Sequence, residues 1–89
     1  MANFTGMDIP AVRTLSKQLK SRADEIQTIS QQLTSQLDST PWNGPDRQQF
    51  HGEWNGRYRQ ALNTVVQGLE QASQTAQRNA NEQEQASSR

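Results

Sequence analysis

The chain has 89 residues, no cysteine, and nine basic against nine acidic side chains. Zero net charge argues against nucleic acid as the main partner, because phosphate binding needs a basic surplus, and the lack of cysteine excludes disulfides, thiol catalysis and cysteine-based zinc sites. Hydrophobic residues make up only 30% of the chain, so one small domain with a thin core is expected.

The first residues, 1–7, read MANFTGM. They hold no basic stretch followed by an apolar run, so a flexible start without a cleavable signal peptide is expected. No apolar run anywhere approaches membrane-spanning length, which argues against stable membrane insertion.

A helix is expected over 8–39. Asp8 suits its N-cap and Pro10 its first turn. Val12, Leu19, Ile26 and Leu33 recur every seven residues, with Leu15 and Ile29 between them. Arg22 and Gln36 fall where apolar residues would continue that second set, and Ala23 and Leu37 carry the stripe instead. This is an amphipathic helix with a coiled-coil-like seam, roughly 45 Å long at 1.5 Å per residue.

The stretch TPWNGPDRQQFHGEWNG, from Thr40 to Gly56, holds both tryptophans and repeats Trp-Asn-Gly. Pro41 ends the first helix, because the residue before a proline is pushed out of the helical region. Gly44 suits the N-cap of the next helix, Pro45 its first position, and Asp46 its positive dipole end. A break of 40–44 between long helices makes an antiparallel hairpin. Trp42 has two compatible readings, a cap on the end of a bundle and a recognition surface at the hairpin tip.

The second helix is expected over 45–84. Its stripe reads Phe50, Trp54, Tyr58, Ala61, Val65, Leu69, Ala72, Ala76 and Ala80, an eleven-residue repeat that fits a nearly straight helix. Leu62 and Val66 widen it. Trp54 falls on this stripe, so the second Trp-Asn-Gly reads as a core or interface tryptophan inside a helix. Gly52 and Gly56 are tolerated there and could let another helix approach. The alanines towards the C-terminus bury little, so weakening near 79–84 and a disordered tail at 85–89 are expected.

Both stripes are wider than one contact line, and a small scaffold with a thin core usually needs support from outside. The expected fold class is therefore all-α: an antiparallel two-helix hairpin that dimerises into a four-helix bundle. Its bundle and dimer interface would use Val12, Leu15, Leu19, Ile26, Ile29, Leu33, Phe50, Trp54, Tyr58, Leu62, Val65 and Leu69. A homodimer is favoured, because mixed charge and complementary strips allow self-pairing.

Catalytic chemistry finds little footing. His51 is the single histidine, and Asp46 and Glu53 beside it do not complete a metal set. There is no nucleophile elbow and no phosphate-cradling glycine loop, so neither enzymatic activity nor a cofactor is expected. Arg13, Lys17 and Lys20 form a basic strip with no aromatics interleaved, which disfavours single-stranded nucleic acid. Arg57 and Arg59 are expected in its general neighbourhood. The strip reads as a solvated face or as a charge match to Glu70, Glu82 or Glu84 of a second subunit.

The run from Trp42 to Trp54 resembles the signature of the WxG family of small, early-secreted-antigen-like proteins of type VII (ESX) secretion systems. Trp42, Asn43 and Gly44 match its Trp-x-Gly turn, Phe50 its phenylalanine six residues after the glycine, and Trp54 the tryptophan four residues beyond. The resemblance covers about Asp8 to Ala80. It implies a hairpin that pairs head-to-tail with itself or with a sister WxG protein. It also implies export of the folded dimer from the cytoplasm by a machine with a hexameric secretion ATPase, without a cleavable signal peptide. The family's export signal combines the Trp-x-Gly turn of one subunit with a C-terminal Tyr-x-x-x-Asp/Glu of the other. This chain departs there: its single tyrosine is Tyr58, inside the second helix. The alternative expectation is an intracellular chaperone or adaptor-like partner of a larger secreted toxin or effector.

Overall fold

The structure, a computed structural model, describes residues 6–87. Those residues form a rod of 66 × 17 × 14 Å. Helix α1 runs Ile9–Ser39 and helix α2 Pro45–Glu53. A π-helical turn at Trp54–Tyr58 leads directly into α3, Arg59–Ser87. Glu53, Trp54 and Arg59 all keep right-handed helical angles, so α2, the π turn and α3 make one continuous helical limb. It folds back antiparallel against α1, and the architecture is an all-helical hairpin.

The start of α1 follows its sequence. Asp8 lies in extended conformation and accepts a hydrogen bond from the Ala11 amide at 3.0 Å, satisfying one of the free N–H groups at the helix start. The expected flexible segment 1–7 lies mostly outside the described residues. At the other end α3 continues through Ser87, past the expected end at 84. Glu82, Gln83, Glu84, Gln85 and Ala86 are all good helix formers with no Gly or Pro among them. Arg13 also holds Glu84 at 2.7 Å. The remainder of the expected tail, 88–89, lies outside the described residues.

The contact seam uses smaller residues than the sequence suggests. On α1 the buried positions are Ser16 and Ala23; on α3 they are Val66, Ser73 and Ala80. Both sets step by seven. Ser16 Oγ donates to the Ser73 carbonyl at 2.8 Å, and Ser73 Oγ donates back to the Ser16 carbonyl at 2.7 Å. The two hydroxyls therefore satisfy themselves in the seam, which a buried polar group requires. This pair also sets the register, since it brings Ala23 level with Val66 and Ile9 level with Ala80. Val12, Leu19 and Ile26 on α1, and Leu62 and Leu69 on α3, flank the seam half-buried.

The eleven-residue reading of the second helix is thereby corrected. A row of small residues every seventh position on α1 is matched by a seven-residue row on α3. Val66 forms its centre, while Tyr58 and Val65 stay exposed. Nor do Gly52 and Gly56 serve a close approach within the chain: a Cβ added at either would meet nothing within 4 Å.

The two flanks of the seam differ. On one, Arg13 meets Glu84 and Asn81 at 2.7 and 2.6 Å, and Lys20 meets both Glu70 and Asp24 at 3.1 Å. These Glu70 and Glu84 contacts lie within the chain, where the sequence suggested a second subunit. Arg57 and Arg59 sit far along the rod from Arg13 and Lys20, because the antiparallel register brings Arg59 level with Ser30. On the other flank lie Leu15, Ile29 and Leu33 of α1 and Tyr58 and Val65 of the second limb, all exposed.

Candidate recognition site

The turn follows from two prolines and one glycine. Thr40, before Pro41, is extended at φ −83° and ψ 127°, which stops α1. The Trp42 amide donates to the Thr40 carbonyl at 2.8 Å, a tight reversal of direction. Gly44 takes φ +123°, in the region that side chains resist, and Pro45 then opens α2 with Asp46 in its first turn.

Side chains from α2 brace this turn against α1. Arg47 Nη2 donates to the Leu37 carbonyl at 3.5 Å, occupying one of the free carbonyls at the helix end. His51 Nε2 lies 3.0 Å from Asp38 Oδ1. A carboxylate can only accept, so that nitrogen carries the proton. Asn55 donates to the His51 carbonyl at 3.2 Å and accepts from Arg59 at 2.8 Å. His51 thus acts in a chain of polar contacts across the turn. Sequence distance hid this partner, because Asp38 lies on the other side of the break.

Trp54 and Trp42 end in different surroundings. Trp54 is 8% exposed, and its indole N–H donates to Thr34 Oγ1 at 2.8 Å. The π turn makes this possible. At about 100° per residue, an α-helix would put positions five apart roughly 140° out of line. A π turn takes up one extra residue, so the step from Trp54 to Val66 closes about three whole turns and Trp54 joins the face of the Val66 row. Trp42 is 41% exposed, and its ring stands 6.5 Å from that of Phe50, tilted by 36°. Leu33, Leu37, Thr40, Trp42, Phe50 and Trp54 line an open, largely apolar groove of about 210 Å³ at this end of the rod. Asn43 lies exposed between the turn's two anchors.

The expected interface residues divide in the same way. Val12, Leu19, Ile26, Leu62 and Leu69 line the seam within the chain, and Trp54 closes its tip end. Leu15, Ile29, Leu33, Phe50, Tyr58 and Val65 lie open on the apolar flank and the groove. Ser16, Ser73 and Thr34 were not expected at all. A serine seven positions before an alanine, Ser16 before Ala23 and Ser73 before Ala80, was the available signal, and hydropathy masks it. Among the described residues no cluster of three or more His, Cys, Asp or Glu could hold a metal ion. No described helix is long and apolar enough to cross a membrane.

A hairpin with a Trp-Asn-Gly turn, Phe50 beside it and Trp54 anchored behind it defines a class of small helical proteins. The chain matches the family model WXG100, proteins of 100 residues with WXG, over residues 6–88; it belongs to the WXG100 family. It is a small helical protein of the kind that serves as substrate for type VII secretion systems, whose members leave the cell without signal peptides. Such proteins typically pair with sister WxG proteins. Comparison with curated proteins and with solved structures returned no match.

Proposed function

We propose that this protein works by binding and not by catalysis: it pairs through its apolar flank into a four-helix bundle and presents the Trp42-Asn43-Gly44 turn to a type VII export machine. The observation that carries this reading is the contrast in the use of indole. Trp54 is buried and hydrogen-bonded, whereas Trp42 stays exposed on an apolar groove where no turn requires it. A large aromatic surface of that kind is what a partner protein buries. In this reading the protein is cytoplasmic before export and extracellular afterwards, and its contacts are another hairpin and the secretion ATPase.

The test compares culture medium from the native organism with and without its secretion ATPase. Appearance outside that depends on the ATPase, and drops with Trp42→Ala, supports the reading. Absence from the medium of both strains rejects it. A second reading is an intracellular adaptor for a larger effector, which would bury the same exposed Trp42 and apolar groove. Co-purification from native lysate separates the two, since a single stoichiometric large partner belongs to the adaptor alone.

A further inference from the structure

We propose that Asn43 is a site of covalent self-modification: its side-chain amide is lost by attack of the Gly44 backbone nitrogen, leaving a carboxylate in the Trp42-Asn43-Gly44 turn. The matching Asn55-Gly56 step is held unreactive by the fold. Water is the only other reactant. The consequence for recognition rests on the export reading above; the chemistry does not.

Asparagine is among the thermolabile residues, and its loss of ammonia is easiest where glycine follows, because no Cβ hinders approach to the next nitrogen. The chain has two such steps, Asn43-Gly44 and Asn55-Gly56. The Gly44 nitrogen gives up its proton and bonds to Asn43 Cγ, the Cγ–Nδ2 bond breaks, and ammonia leaves with that proton. Water then opens the cyclic imide at either carbonyl. One opening gives aspartate. The other gives isoaspartate, in which the main chain runs through the side-chain carbon. Nothing is oxidised or reduced.

Two conditions govern the step: the side chain must swing onto the next nitrogen, and that nitrogen must be free of a hydrogen bond. At the first triplet both hold. Asn43 is exposed and lies outside any helix. Among the described residues neither its side chain nor the Gly44 amide has a hydrogen-bond partner; the turn is closed by the Trp42 amide on the Thr40 carbonyl and the Gln48 amide on the Gly44 carbonyl. At the second triplet both fail. Asn55 Nδ2 donates to the His51 carbonyl at 3.2 Å and Oδ1 accepts from Arg59 at 2.8 Å, so the side chain is tied at both atoms. Gly56 sits inside the π turn of a continuous helical limb, where backbone amides are committed to the helical ladder. A carboxylate in place of the Asn43 amide stands beside Trp42, the exposed indole offered to a partner. Docking then has to desolvate a charge, which weakens it.

The experiment incubates the full chain at mildly alkaline pH, with and without urea, and follows tryptic peptides by mass spectrometry. Trypsin cuts after Arg22, Arg47 and Arg57, so the two asparagines fall in separate peptides, 23–47 and 48–57. In the folded chain the first peptide should gain the mass of NH2 exchanged for OH and split into two products on chromatography. Asn55 should react at least roughly tenfold more slowly, because the helix must open locally first. In urea the two rates should converge, since Trp-Asn-Gly is common to both sites. Equal rates in the folded chain, or an unchanged Asn43, overturn the proposal. A difference that survives in urea also overturns it, because local sequence and not the fold then protects Asn55. Separately, Asn43→Asp carries the product's charge without isoaspartate. It should keep the parent's circular dichroism and lose most of its export in the secretion assay, while Asn43→Gln keeps it. Equal export of the two variants overturns the consequence for recognition. A wild-type chain that is not exported rejects the export reading and leaves the modification to stand or fall on the peptide rates.

Discussion

The two Trp-Asn-Gly triplets share three letters and end in opposite structures. The first lies between Pro41 and Pro45, and its Gly44 turns the chain at φ +123°. The second has no proline beside it, and its three residues open a π turn inside a continuing helical limb. One tryptophan remains 41% exposed and the other is hydrogen-bonded in the seam at 8%. The difference teaches that flanking backbone chemistry, and not the triplet, decides whether the chain turns. Which face the indole then meets depends on helical phase.

Trp54→Ala should have the largest effect. Removing a buried aromatic costs about 3–5 kcal/mol, a large part of what a small domain has. Urea unfolding followed by circular dichroism should show a lower midpoint or loss of the folded baseline. A change under about 1 kcal/mol would mean that Trp54 does not anchor the seam.

Phase can be tested next. Deleting Gly56 should relax the π turn to α while leaving Trp54 on the Val66 face, with stability within about 1 kcal/mol of the parent. Inserting an alanine after Gly68 instead rotates Ser73 and Ala80 about 100° off the seam, and urea unfolding should show a far greater loss. Equal losses in the two variants would reject the phase account of the π turn.

Ser16→Ala should cost about 0.5–1.5 kcal/mol, the net worth of one hydrogen bond, because the Ser73 carbonyl keeps its helical amide donor. Adding Ser73→Ala should cost less than a second full increment, since the hydroxyls are coupled; a double-mutant cycle measures this. Trp42→Ala should cost about 1 kcal/mol or less, the worth of one aromatic pair, while export falls sharply in a secretion assay. Equal stability losses at Trp42 and Trp54 would erase the contrast between them.

The smallest effect concerns pH. Hydrogen bonds to Glu70, and then to Asp24, raise Lys20 above its ordinary value of 10.5. A raised lysine contributes stability that is fully present below the ordinary value and is lost as pH climbs through the raised one. Lys20 is exposed, so its contribution is small. Thermal midpoints at pH 7 and pH 9 should differ no more in the parent than in Lys20→Met; a clear drop in the parent alone would contradict this.

The sequence by itself determined the two helical limbs, the place of the break, and the contrast between the tryptophans. Those features rest on local causes: the capping carboxylate of Asp8, the prolines at 41 and 45, glycine at a positive φ, and an amphipathic period. Tertiary structure alone decided which rows of each stripe face each other. Ser16, Ala23, Val66, Ser73 and Ala80 took the seam because small side chains let two helices approach and close hydrogen bonds between them. Leu15, Ile29, Tyr58 and Val65 are more hydrophobic, yet were left outside. Hydropathy ranks those residues by their preference for leaving water, but the shape of the facing helix selects what fits between the two backbones. The π turn was hidden for a related reason, since its one-residue change of phase is stabilised by the Trp54–Thr34 contact across the hairpin. The pairing of Arg13 and Lys20 with Glu84 and Glu70 inside the chain also needed the register, which no single helix specifies.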